Sequence, residues 1–306
     1  VLRLAGLFAA VGLATSRVGL IVHELAGHGG TALAFGGQVS DFRLFWFAGG
    51  WIRYDLDEPT RGVLIAISIG GVGLEAVIGL ALWLVLRHKN NLAARLARGV
   101  GAAFMIHAGW YFATGTWHGF GDGLLVHRAV GDWRYPIAIA TGLVTCLIAY
   151  AGARLVLGSL AASLPGARGA RVAGVLVAAV LAGALQVGLA VGEVRVRGDS
   201  TYGAIMKPER ERVIARELLA WQRAQAQRGT QISDADRAAQ ARSLAARHTE
   251  PPFAPVLALL LAVAVALGAR RTRAAADPVT TRLVAITAAI AAGSIVAVIA
   301  LDAAFH

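Results

Sequence analysis

The chain has 306 residues, of which 57% are hydrophobic and only 15% charged, with a mean hydropathy of +0.63. That composition excludes an ordinary soluble domain and implies a multi-pass membrane protein. Lys+Arg 29 against Asp+Glu 18 gives a net charge of +11, but the basic residues fall between apolar runs, where anionic headgroups account for them without nucleic acid. The 37 glycines suit close packing of transmembrane helices, and the single Cys146 can form no disulfide within the chain.

The expected fold is all-α and integral to the membrane. It has about seven transmembrane helices, a short interfacial β-hairpin and a small helical extramembrane segment. Segment one, Leu4 to Phe35, exceeds the roughly 20 residues that cross hydrocarbon, so it is tilted, bulged or partly outside. Although it begins near the N-terminus, it leads straight into a His/Glu motif and is read as retained rather than as a cleaved signal. That motif, His23-Glu24 and His28 within VGLIVHELAGHGGTALAFGGQVSDF, places imidazoles and a carboxylate at membrane depth, where they are costly. Two imidazoles with a carboxylate beside them are what a zinc hydrolase uses: nitrogen ligands and a base. The spacing is HExxxH rather than HExxH. On a regular α-helix, residues five apart lie roughly 140° apart and cannot clasp one ion. A π-bulge, eased by Gly27, brings them to one side. The bland alternative is two histidines bonded to neighbouring backbone.

Residues 41–55, DFRLFWFAGGWIRYD, read as two aromatic-rich strands around Gly49-Gly50, a β-hairpin at the interface or lining a cavity. Trp46 and Trp51 suit an interfacial loop that they anchor at headgroup level. Segment two, Gly62 to Leu86, carries Glu75 near its middle, a carboxyl that must be neutral or paired. Segment three, Gly99 to about Trp117, contains His107 and runs into His118, Gly121-Asp122-Gly123 and His127. His118 shares a face with Asp122 if the stretch is helical. Glu75, His118 and His107 are candidates for supporting groups or substitute ligands. The alternative for these and for His127 is a hydrogen bond at the interface or between helices.

Read from Gly27-His28 through Ala32, Phe35-Gly36, Val39 and Phe42, the first segment resembles the site-2 protease family of intramembrane zinc metalloproteases. It departs by one additional residue between Glu24 and Gly27. The HExxxH spacing itself resembles that of dipeptidyl peptidase III, a soluble zinc enzyme. The family resemblance implies one Zn2+ ion held by His23, His28 and Asp122, the last standing in a partial match to the family's leucine-aspartate-glycine motif. It implies Glu24 as catalytic base and residues 41–55 as a hairpin presenting substrate through Trp46, Gly49, Gly50 and Trp51, the alternative being the interfacial loop. Gly71 to Glu75 resembles the family's glycine-proline turn, with Val72 for the proline and Glu75 for the following asparagine.

Segments four, Tyr135 to Leu157, and five, Ala170 to Val191, look like scaffold. From Glu193 to Pro252 the chain turns polar, with helical spacing over Pro208 to Gln227 and Ser233 to Arg247, the latter capped by Ser233. Segments six, Phe253 to Leu267, and seven, Leu283 to Leu301, complete the count. The organisation is a core of residues 1–134, helices four and five in 135–193, a polar unit of 194–252 and C-terminal helices in 253–306. Three basic loops, 87–98, 154–171 and 270–282 (Arg270, Arg271, Arg273 and Arg282), fall on one face. The positive-inside rule makes that face cytoplasmic and the site side non-cytoplasmic. The resemblance implies the reverse for bacterial relatives. The expected activity is hydrolysis of peptide bonds of a membrane protein or peptide in or near the bilayer. Two rivals are a non-proteolytic metal-binding protein of the same architecture, and an ion or proton transporter using Glu75, His107 and His118. Substrate and oligomeric state are left open.

Overall fold

The computed structural model describes residues 2–271 and 279–306. The first apolar run forms α1, Leu2–Ile21, which passes without a break through a π-helical stretch, Val22–Gly29, into the short α2, Gly30–Ala34. The hairpin follows as β1, Gln38–Leu44, and β2, Gly50–Asp55. They pair antiparallel, with Leu44 opposite Gly50 and a bulge between Val39 and Asp41. The pairing begins three residues before the expected start, and Phe45 to Gly49 form the connecting loop. Phe42 and Leu44 turn inward against Leu20 and Val298. A sheet of only two strands is marginal alone, so this packing is what holds it.

Four helices carry the middle of the chain. The first two are α3, Arg61–Val85, started by the Thr60 side chain, and α4, Leu92–His118, started by Asn91. A short α5, Gly123–Val130, leads to α6, Arg134–Leu155, and a short α7, Leu157–Ser163, precedes α8, Arg168–Arg197. The polar unit contains α9, Ser200–Ile205, α10, Glu209–Gln227, and α11, Asp234–Arg247. Helices α10 and α11 match the spacing read from sequence. Ser233 and Asp236 close a capping box on α11, satisfying two amides that the helix start leaves open. The chain ends with α12, Phe253–Arg270, and α13, Thr281–Phe305.

Among the described residues, six helical stretches are long and apolar enough to cross a membrane: Leu2–Ala34, Arg61–Val85, Gly123–Ala162, Arg168–Arg197, Phe253–Arg270 and Thr281–Phe305. The expected count of seven is thus corrected to six. Helix α4 is long enough at 27 residues, but glycine, threonine and histidine dilute its hydropathy. Its environment permits this. It packs between α3 and α6 and buries Ala102, Phe104, Ala108 and Ala113 in protein. A helix covered by other helices meets less lipid and needs fewer large apolar side chains.

The described parts of the three basic loops gather at one end of the bundle, where Leu4, Leu92, Leu160, Val172 and Ala269 share an apolar cluster. There Arg98 donates to the carbonyls of Arg87 and Lys89, and Arg168 to that of Arg270. Arg273 lies outside the described residues. The hairpin is at the opposite end, fastened by charges from three helices. Arg17 of α1 donates to the carbonyls of Phe45 (2.7 Å) and Phe47 (3.0 Å). Glu193 accepts from the amides of Trp46, Phe47 and Ala48 at 2.7, 2.6 and 3.1 Å. Asp302 of α13 accepts from the Leu44 amide, and Arg197 bridges Glu193 (3.2 Å) and Asp302 (2.6 Å). Helix α8 therefore continues past the expected end of segment five, carrying Glu193 inside it rather than at the start of the polar unit.

Replacing Arg197 by Met leaves Asp302 buried without its cation. That change is expected to cost about 3 kcal/mol, read as a lowered thermal midpoint in mild detergent with loss of amide protection in the hairpin loop.

Candidate metal centre

In a π-helix each amide bonds five residues back, so positions five apart stack on one side. Over Val22–Gly29 this is the conformation the chain adopts, and His23 and His28 converge as the spacing requires. Their Nε2 atoms are 3.2 Å apart. Asp122, in the turn between α4 and α5, places Oδ2 3.1 Å from His23 Nε2 and Oδ1 3.3 Å from His28 Nε2. All three residues are buried.

This group can hold a metal ion. Donors about 2.0–2.1 Å from a common ion in tetrahedral array lie roughly 3.3 Å from one another, which is the separation seen. The remaining contacts agree. His28 Nδ1 donates to the Ile67 carbonyl at 2.6 Å, which leaves the Nε2 lone pair free. Asp122 Oδ2 is buried without a hydrogen-bond partner among the described residues. A partnerless buried carboxylate oxygen aimed at two imidazole nitrogens fits a cation between them.

Helix α3 passes so close that only glycine serves at the crossing. A Cβ on Gly71 would fall 2.7 Å from both Nε2 atoms, and one on Gly27 would fall 2.5 Å from the Gly71 Cα. The expected turn at Gly71 to Glu75 is absent, because α3 runs unbroken through it. Gly71 makes room for the imidazoles instead. One turn on, Glu75 accepts from His107 Nδ1 at 2.8 Å and lies 3.6 Å from His23 Nδ1. The second distance is too long for a full hydrogen bond, so Glu75 orients His107 directly and His23 by charge.

Glu24 is buried but borders a cavity of about 950 Å³, with its Cγ 3.2 Å from where a Cβ on Gly50 would stand. The hairpin loop, including Gly49, forms part of the cavity roof. Of the two hairpin tryptophans, Trp46 is half-exposed, whereas Trp51 is buried and donates Nε1 to Asp199 at 3.2 Å. Trp51 therefore ties the hairpin to the polar unit.

His118 does not join the centre. The α4 helix ends there with Gly119 at φ +69°, and Gly121, at φ +49°, has its Cβ direction blocked by the Tyr111 hydroxyl. The helical register that would align His118 with Asp122 is thereby broken, and His118 Nδ1 bonds Glu250 at 3.0 Å. Burial opposes ionisation of Glu250, yet the bond from His118 outweighs it and holds the carboxyl below its ordinary value. His127 bonds the Thr116 carbonyl. Sequence reading matched Gly71 to a turn and missed Arg17 and Asp302. The two ions were visible as charges inside apolar runs.

No protein-family model, no curated protein and no solved structure matches the chain.

Gly71→Ala is expected to lower metal affinity at least about tenfold by crowding both ring nitrogens, whereas His118→Ala leaves metal content unchanged. Titration of the purified variants with Zn2+ checks both.

Proposed function

We propose that this chain is a metal-dependent intramembrane peptidase of the kind the first segment resembles, with a single Zn2+ as its cofactor. The observation that carries the reading is the convergence of His23 Nε2, His28 Nε2 and the Asp122 carboxylate at 3.1–3.3 Å beside the buried Glu24. Two nitrogens and one carboxylate leave a coordination position open, the arrangement of catalytic rather than structural zinc sites. When bound, such an ion supplies a Lewis acid and lowers the pKa of water.

The protein's own groups do the rest. His28 is locked in one tautomer by the Ile67 carbonyl, and the Glu75–His107 pair steadies the far side of His23. Glu24 accepts a proton from the attacking water and returns it to the leaving amine. Apolar walls keep bulk water away and so strengthen these charges. A substrate helix keeps its carbonyls internally bonded and must be unwound to react. The hairpin, whose Gly50 end abuts Glu24, offers a strand edge on which the unwound segment can pair. The bonds of Glu75, His107 and His118 support this reading over ion transport, because His118 faces Glu250 instead of continuing a path from Glu75 and His107.

The basic loops share one end and the hairpin the other, so the charge rule puts the site on the non-cytoplasmic side. A cysteine introduced at Asp234 is expected to react with a membrane-impermeant maleimide in intact cells. Protection there, with labelling only after lysis, reverses the orientation.

Glu24→Gln is expected to keep full zinc content while cleavage of a membrane-embedded reporter peptide falls by about 10²–10⁴-fold. Retained cleavage, or zinc lost with the activity, excludes Glu24 as the base.

A further inference from the structure

The cavity bordered by Glu24 is larger than proton transfer to water requires, and it extends far from the metal centre. Its back wall is α1, where Phe8, Val11, Thr15 and Leu20 line it in a continuous stripe. Its side walls come from α4, between Val100 and Tyr111, and from α8, between Gln186 and Arg195. The roof is the hairpin loop with Tyr202 and Met206. From Phe8 to Leu20 the helix rises roughly 18 Å, close to the ~15 Å depth of one bilayer leaflet. The groove is thus about as long as one lipid chain.

The space is long and mostly apolar, about 950 Å³, as an extended acyl chain requires.

At the roofed end the groove is also charged. Arg195 lines it, is exposed, and has no ion-pair or hydrogen-bond partner among the described residues. The neighbouring cations differ, since Arg197 is bound to Glu193 and Asp302, and Arg17 to the hairpin carbonyls. Arg195 is therefore the free cation at the mouth, facing the headgroup level.

We propose that this groove binds a single-chain anionic amphiphile of the fatty-acid type. Its carboxylate pairs with Arg195 and its acyl chain runs along α1 towards Phe8. Such a ligand passes beside Glu24 and occupies the space a peptide must enter, so it competes with substrate. The binding does not depend on the metal, nor on whether the centre cleaves peptides.

The test uses the full chain in phosphatidylcholine nanodiscs with a photoactivatable stearic acid, and its long-chain alcohol analogue as a neutral probe. Labelling by the acid is expected to saturate at one per chain and to map to α1 and α4. Val100→Trp, which fills the lower groove, should reduce it at least about tenfold, while Val187→Trp, on the exposed face of α8, should not. Arg195→Gln should weaken labelling by the acid about five- to tenfold and leave the alcohol unchanged. Stripping divalent metal with a chelator should leave labelling by the acid unchanged, so loss of the metal reading and loss of this one remain separable. Non-saturating labelling spread over α12 and α13 and indifferent to Val100→Trp overturns the proposal. So does displacement of the probe by a model transmembrane peptide but not by unlabelled stearate, which would make the groove a helix site.

Discussion

Two imidazole nitrogens and a carboxylate lie within 3.1–3.3 Å of one another inside a protein whose surroundings are mostly apolar. Such a cluster is tolerable only if its members compensate one another or hold a cation, because water is not there to solvate them. Much of the surrounding structure follows from that demand. The π-helical stretch brings the two rings to one side, and Gly27 and Gly71 let α3 approach until its backbone carbonyl at Ile67 can fix one ring. The turn after α4 then delivers Asp122 from a distant part of the chain.

The same economy of charge holds the hairpin. Its loop would expose unpaired amides and carbonyls, yet Glu193 takes three of the amides and Arg17 two of the carbonyls. Arg197 and Asp302 bind this clamp to α13. The consequence is a rigid roof over the cavity, tied to α1, α8 and α13 together. A fixed roof and fixed imidazoles are two results of pairing ionisable groups within apolar walls.

Helix α4, which is not among the six stretches apolar enough to cross a membrane, shows how packing between other helices relaxes composition. It serves the centre with His107 and packs its glycines and alanines against α3 and α6, so its residues answer to protein neighbours. A hydropathy criterion measures transfer to lipid, and α4 is mostly covered by protein.

The residue pattern by itself determined the membrane class, the hairpin, the two polar helices with the Ser233 cap, and the need for a π distortion at His23 and His28. Each is a local matter of apolar run length, alternation, capping or angular spacing. The choice of Asp122 over His118 belongs to tertiary structure, because the glycine conformations at 119 and 121 decide where the chain turns after α4. The same is true of Gly71, which looked like a turn residue and proved to be a point of helix contact, and of the clamp joining Arg17, Glu193 and Asp302. Such pairings link residues that are distant in the chain, 28 positions apart for Arg17 and Phe45 and 258 for Leu44 and Asp302, and no local periodicity encodes a distance across a packed bundle.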